Sequence, residues 1–448
     1  MNWSKIVFLI GIIAFAISCE QDNPNYQEDA NQAQFLHRSV KKLTDVIIHD
    51  IFSPPQAARI YAYPSIAAYE IMQQGSNKYQ SLAGQLHELQ TVPQLESNQE
   101  YCLPVASTQA FLQVGKALIF SEDKMENFQK EVAEEFKAIK IPTDVYDRSL
   151  AYGNQVAEHI LAWADKDNYK QTRTFPKFSI TDNPAEWKPT PPDYMDGIEP
   201  HWMKIRPFVL DSAQQFAPPP PTPFDMDENS LFYKELMEVY LAMEEDGAER
   251  LEIAQFWDCN PYVSQHIGHV MTASKKITPG GHWMGIAYIA ATTTDAGLMK
   301  SAATYAKTTI ALSDAFISCW DEKYNSKLIR PETVINTYLD EDWLPALQTP
   351  PFPEYTSGHS VISRAAAVVL TDMYGDDFAF VDSTEVEYGL PVRKFDSFFA
   401  ASEEAAVSRL YGGIHYRPAI DNGVVQGEQV GKLIKARVKL QEEKLSLK

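Results

Sequence analysis

Apolar residues in this chain recur at three- and four-residue steps over most of its length, while alternating runs are few and short. That period lays an apolar stripe along one side of a helix, and the stripe has to be buried against other helices. Segments near 30–50, 104–118, 123–140 and 145–166 read this way, and the pattern resumes at about 229–320 and again from 356 to the end. "SPPQAARIYAYPSIAAYEIMQQG" adds a start signal, with Ser53 as N-cap and prolines at early helical positions. Between about 170 and 225, "TDNPAEWKPTPPDYMDGIEPHWMKIRPF" and "FAPPPPTPF" exclude regular helix over much of their length. Their many aromatics favour a packed covering loop over a disordered spacer. Gly423, Gly427 and Gly431, four residues apart, fall on one helix face and predict a close helix–helix approach. The expected fold is all-α: two helical bundles, or one large one, within a single domain over 32–448. N-terminal helices would occupy about 32–170, a crossover loop about 171–227, and C-terminal helices about 228–441.

The formal net charge of -21 argues against nucleic acid or an anionic membrane surface as a partner. Any anion must therefore be held by a local cationic pocket. The N-terminus "MNWSKIVFLIGIIAFAISC" has an apolar run too short for a comfortable membrane span, which fits a signal peptide over 1–18. Its "AISC" ending looks like a bacterial lipobox. That implies acylation of Cys19, a flexible tether over 19–31, export, and a membrane link only through the lipid. Cys102, Cys259 and Cys319 remain; their spacing matches no zinc motif, and they read as buried thiols or as one pair plus one free residue.

Three segments of the C-terminal half carry the chemistry. In "WDEKYNSKLIRPETV", Lys323 precedes Arg330-Pro331 by seven positions, which on a continuing helix would put both cations on one face before proline ends or redirects it. In "PPFPEYTSGHSVISRAAAVVLTDMYG", Ser357, Gly358 and His359 stand before a long apolar helical run. Unpaired amides and the positive dipole end of a helix favour an anion there. In "VSRLYGGIHYRPAIDNG", a helix ending near Leu410 presents Arg409, and the turn through Gly412 and Gly413 aims His415 inward. Each segment alone is also what a solvated face, a plain N-cap or a C-cap looks like. Together they supply a cage of donors for a tetrahedral oxyanion.

The ordered set Lys323–Pro331, Ser357–His359 and Ser408-Arg409 to His415 resembles the signature shared by type-2 phosphatidic-acid-phosphatase-like acid phosphatases and vanadium-dependent haloperoxidases. "SPPQAARIYAYPSIAAYE" and "DCNPY" are similar to the bacterial iodoperoxidase branch of the latter. The resemblance implies vanadate as cofactor and hydrogen peroxide and halide as substrates. Lys323, Arg330 and Arg409 would neutralise the equatorial oxygens, Ser357 and Gly358 would add hydrogen bonds, His415 would bind vanadium axially, and His359 would serve as acid/base. In a phosphatase the same His415 would attack phosphorus and His359 would protonate the leaving alcohol. Two positions depart from the shared pattern. Thr356 stands where proline is usual, and Ala419 stands where a phosphatase places the aspartate that orients the nucleophilic histidine, leaving Asp421 as a substitute partner for His415. A weakened orienting carboxylate harms a nucleophile more than a metal ligand, which tilts the reading toward the peroxidase.

Trp320, Asp321 and Phe352 flank the motifs and Tyr262 lies in "DCNPY", so they are candidates for a halide pocket, although aromatics at such places are more often plain core. His266 and His269 read as ordinary helical histidines without a third ligand. The leading expectation is a vanadate-dependent haloperoxidase that oxidises iodide. An acid phosphatase without metal, and a protein that merely sequesters phosphate or vanadate, are the alternatives.

Overall fold

The structure, a computed structural model, describes residues 22–441 except 245 and 268. Cys19 and the expected signal segment lie outside the described residues. Seven helices form the N-terminal part: α1 (Tyr26–Ala30), α2 (Ala33–Asp50), α3 (Pro54–Gln74), α4 (Leu103–Ala117), α5 (Glu122–Ala138), α6 (Thr143–Ala164) and α7 (Tyr169–Thr172). Eight follow: α8 (Leu231–Tyr240), α9 (Gly247–Phe256), α10 (Pro279–Thr293), α11 (Leu298–Ser326), α12 (Pro331–Tyr338), α13 (Gly358–Tyr374), α14 (Phe398–Tyr411) and α15 (Arg417–Arg437). With 56% helix and 4% strand the all-α expectation holds.

The packing follows the sequence pattern. Helix α3 starts with Pro54 and Pro55 in its first turn, and the Gln56 side chain accepts from the Ser53 amide at 3.3 Å. It is buried along nearly its whole length because it packs against α4 on one side and α11 on the other, so it is the seam between the two halves. Helices α11, α13, α14 and α15 form the second bundle. The glycine spacing in α15 has the expected cause: a Cβ on Gly427 would lie 2.1 Å from the Val361 carbonyl oxygen of α13, and Gly423 and Gly431 meet α13 almost as closely.

Residues 173–230 contain one short 3-10 turn and otherwise cover the second bundle, as the composition predicted. The carboxylate of Asp314, wholly buried in α11, accepts from the amides of Phe208, Val209 and Leu210. Further along, the Trp187 amide donates to the Lys327 carbonyl and the Ile198 amide to Pro351.

Three expectations need correction. Part of the stretch read as a tether is packed: Tyr26 in α1 is buried with its hydroxyl donating to Glu100, and the Asn23 amide donates to Lys140. Residues expected as helix near His266 and His269 form a hairpin, β1 (Val263–Ile267) against β2 (Val270–Ser274). A second small hairpin, β3 (Phe380–Asp382) with β4 (Arg393–Phe395), interrupts the helical run after 356. The strands of the first do not alternate apolar with polar residues, and those of the second are only three residues long. All three described cysteines are free and buried, the first of the two expected outcomes.

Candidate active site

Each site residue sits at a helix end or just beyond one. Lys323 lies in the last turn of α11, and Lys327, in the left-handed region with φ 54°, stops that helix. Leu328 and Ile329 then lead to Arg330, the extended N-cap of α12. Lys323 and Arg330 therefore do not share a helix face as their spacing suggested; a chain reversal brings them together instead. Ser357 is the N-cap of α13, its Oγ accepting from the Ser360 amide at 3.3 Å. The first-turn amides of Gly358 and His359 are of the kind a helix leaves unpaired. Arg409 is in the last turn of α14, and Gly413, with φ +77°, reverses the chain so that His415 points inward before α15.

The cage is a concentration of buried positive charge. Lys323 and Arg330 are fully buried and Arg409 and His415 nearly so. Arg330 donates from Nε to the Phe352 carbonyl (2.9 Å) and from Nη1 to the Ile414 carbonyl (2.8 Å), with Nη1 also 3.2 Å from His415 Nε2. Its Nη2 has no partner. Arg409 donates from Nη2 to the Trp257 carbonyl at 2.7 Å and from Nε to Ser408 Oγ at 2.9 Å. Lys323 Nζ meets the carbonyls of Pro353, Glu354 and Thr356 at 3.1, 3.0 and 2.5 Å, so it offers the cage charge rather than a free donor. The Phe352 ring lies 5.0 Å from Lys323 Nζ and 5.1 Å from the Arg330 guanidinium.

Burial, before all other causes, sets the protonation behaviour. It pulls Lys323 down to about 8 and Arg330 to about 10, and it lowers Arg409. His415 and His359 are both held well below the ordinary imidazole value, first by burial and then by the neighbouring cations. Burial pushes Glu354 up to about 8, against the pull of the Arg330 and Lys323 charges.

Glu354 is the residue the sequence reading missed. Its Oε1 accepts from His415 Nδ1 at 2.7 Å and from the Tyr416 amide at 2.9 Å. That bond places the His415 proton on Nδ1 and leaves the Nε2 lone pair facing the site. Asp421, expected as this partner, is exposed in the first turns of α15 beside Arg417 and Glu238. His415 therefore keeps a full orienting carboxylate, which arrives from the segment before α13, so a weakened one no longer distinguishes peroxidase from phosphatase. Arg417 also points away, to Glu238 at 2.6 Å. The one available signal was Glu354's place, three residues ahead of Ser357.

Gly358, His359, Arg409 and His415 line a cavity of about 530 Å³ whose walls include Tyr262, Trp320 and Phe352. Asp321 does not line it; its carboxylate accepts from Asn325 at 2.9 Å and from Gln214 of the crossover loop. His359 Nε2 is buried without a partner, while the ring also bonds the Trp257 backbone. His269 is exposed on its hairpin.

A tetrahedral oxyanion fits this donor set. Lys323, Arg330 and Arg409 are buried together beside His415, and Arg330 Nη2 and His359 Nε2 are buried polar atoms lacking a partner. Fold and site together define a helical-bundle protein with an oxyanion cage at the helix termini of its second bundle. Residues 303–442 match the family model described as the VCPO second helical-bundle domain. A solved bacterial vanadium-dependent iodoperoxidase is similar over 92% of this chain and 98% of its own, with 53% sequence identity and a TM-score of 0.88. A bacterial vanadium-dependent chloroperoxidase in its holo form shares the fold at 16% identity and a TM-score of 0.66, covering 87% of this chain and 94% of that one. The search of curated proteins found no match. The chain belongs to the vanadium-dependent haloperoxidases. Vanadate is accordingly the cofactor its cage is built to hold.

Proposed function

We propose that the protein oxidises iodide with hydrogen peroxide, releasing a hypohalous-acid equivalent, with vanadate held by Lys323, Arg330, Arg409, Ser357, Gly358 and His415. The observation that carries this reading is the ring of buried cations around a histidine whose Nε2 the Glu354 bond to Nδ1 leaves unprotonated. Bound vanadate would supply a Lewis-acid centre that polarises peroxide toward halide attack. The chain supplies the rest. His415 Nε2 offers the metal its lone pair, and Arg330 and Arg409 offer guanidinium hydrogens to anionic oxygens. Lys323 adds charge, and the Gly358 amide and the uncommitted Ser357 hydroxyl hydrogen add neutral donors. His359 Nε2, unpaired and neutral, can take a proton from peroxide and return it to a departing oxygen.

Iodide is favoured by two supports. The similar protein of 53% identity is an iodoperoxidase, and the cavity walls of Trp320, Phe352 and Tyr262 suit a large, weakly hydrated halide. The test is iodide oxidation by hydrogen peroxide with and without added vanadate, beside hydrolysis of an aryl phosphate. Vanadate-activated iodide oxidation is expected; hydrolysis inhibited by vanadate, with no iodide oxidation, would overturn the proposal. Export with acylation at Cys19 is part of the same proposal, supported by the short apolar run and "AISC". Radiolabelled palmitate should enter the wild type and not Cys19→Ala.

A further inference from the structure

Behind the oxyanion cage, three distant segments bring three different ligand types to one buried point. Cys259 follows α9, His282 lies in the first turn of α10, and Glu385 follows β3. Their relative exposures are 1%, 0% and 1%, and one ligand atom from each lies within 4.8 Å of the others. We infer that Cys259 Sγ, His282 Nδ1 and Glu385 Oε1 form a second metal site, of the kind that takes zinc.

The geometry is close to what a tetrahedral ion needs. His282 Nδ1 is 3.5 Å from Cys259 Sγ and 3.0 Å from Glu385 Oε1. Zinc bonds of about 2.3 Å to sulfur and about 2.0 Å to nitrogen or oxygen give tetrahedral edges of roughly 3.6 and 3.3 Å. The opposite ring nitrogen is held by Asp382, whose Oδ2 lies 2.8 Å from Nε2 and whose Oδ1 accepts from the Thr384 amide at 2.9 Å. A carboxylate on the far nitrogen is what fixes a metal-binding imidazole in the right tautomer and orientation. Glu385 Oε1 is the independent pointer: it is buried, lies beside Nδ1, and makes no hydrogen bond. One proton on Nδ1 cannot serve both the sulfur and this oxygen, whereas a cation among the three serves all of them. Thiolate, imidazole and carboxylate together select zinc over the oxygen-seeking ions calcium and magnesium. A water completes the fourth position.

The site would stiffen the wall of the cage. The Trp257 ring stacks on His282 with centroids 4.5 Å apart and planes 20° apart. The Trp257 carbonyl receives Arg409 Nη2, and the same backbone bonds His359. One metal would thus fix the peptide that positions a vanadate-binding arginine and the acid/base imidazole.

The inference stands apart from haloperoxidase activity, because metal content is read without turnover. The full chain, dialysed against metal-poor buffer, is assayed for zinc by mass spectrometry and then reloaded with cobalt(II). Stoichiometric zinc is expected whether or not vanadate is present. The cobalt form should show a thiolate-to-metal band in the near ultraviolet that Cys102→Ser keeps and Cys259→Ser loses. If Cys259→Ser does not fold, the wild-type zinc content and cobalt spectrum still decide. Folded wild type that retains no zinc and takes up no cobalt would overturn the site. So would zinc that persists in folded Cys259→Ser and His282→Gln.

Discussion

Oxyanion affinity should fall steeply as pH rises through about 8, and two buried groups set the slope. Lys323 titrates at about 8, charged below and neutral above; Glu354 also titrates at about 8, neutral below and anionic above. Raising the pH therefore adds a negative charge and removes a positive one, in overlapping steps because each charge stabilises the other, so the cage loses up to two units of charge. A bound dianion stabilises the protonated form of both groups and raises both pKa values, so binding takes up protons there. The affinity constant should fall by up to about 100-fold per pH unit, roughly 2.7 kcal/mol, at the steepest part. Tungstate is the probe, since it stays dianionic across the range and its own titration adds nothing; calorimetry from about pH 7 to about pH 9.5 reads the slope. Glu354→Gln separates the two groups. The Oε1 position accepts both hydrogen bonds and Oε2 has no partner, so glutamine reproduces the neutral acid in shape and donors. Its affinity near pH 7 should stay within about tenfold of the parent and its slope should halve, whereas Glu354→Leu leaves Nδ1 unpaired and costs roughly 10- to 100-fold. Equal slopes in the parent and Glu354→Gln, or a glutamine variant as damaged as the leucine one, would refute this account of the cage.

Other perturbations separate holding the metal from using it. His415→Ala should abolish vanadium retention, and a variant that still holds stoichiometric vanadium would refute the ligand role. His359→Ala should keep its vanadium while turnover drops by about 10²–10⁴, the usual worth of a positioned acid/base. Gly427→Ala gains about 1 kcal/mol of helix propensity. It loses more by forcing a methyl to within 2.1 Å of the Val361 carbonyl, so Tm should fall, and a Tm at or above the parent's would contradict the packing. Asp421→Asn, altering an exposed residue, should leave vanadate affinity and turnover unchanged.

The bundle was legible because helical burial leaves a periodic trace in every segment, and the cage was legible because its donors lie in short, ordered runs. What escaped the sequence had no such trace. Lys323 and Arg330 converge through a left-handed stop at Lys327, and nothing in the residue type of a lysine announces φ 54°. Glu354 looked like one more acidic residue in an acidic chain; only the fold of 350–357 over α11 puts it behind His415, 61 positions away. The hairpins were missed because the five-residue strands VSQHI and VMTAS do not alternate apolar with polar residues, and three-residue strands give alternation too little length to show.

Three cations stripped of water are an unfavourable thing to build, and their depressed pKa values are the signature of that cost. The fold can carry it because no cage residue stands free. Lys323 is gripped by three carbonyls, Arg330 by two and Arg409 by two; those on Lys323 and Arg330 come from the segments before α13 and α15, and those on Arg409 from the end of α9, which packs on α14. Interhelical packing and these carbonyls together fix the arrangement that an anion needs. Binding can then proceed without reordering the donors, which is the condition under which buried charge strengthens recognition instead of opposing it.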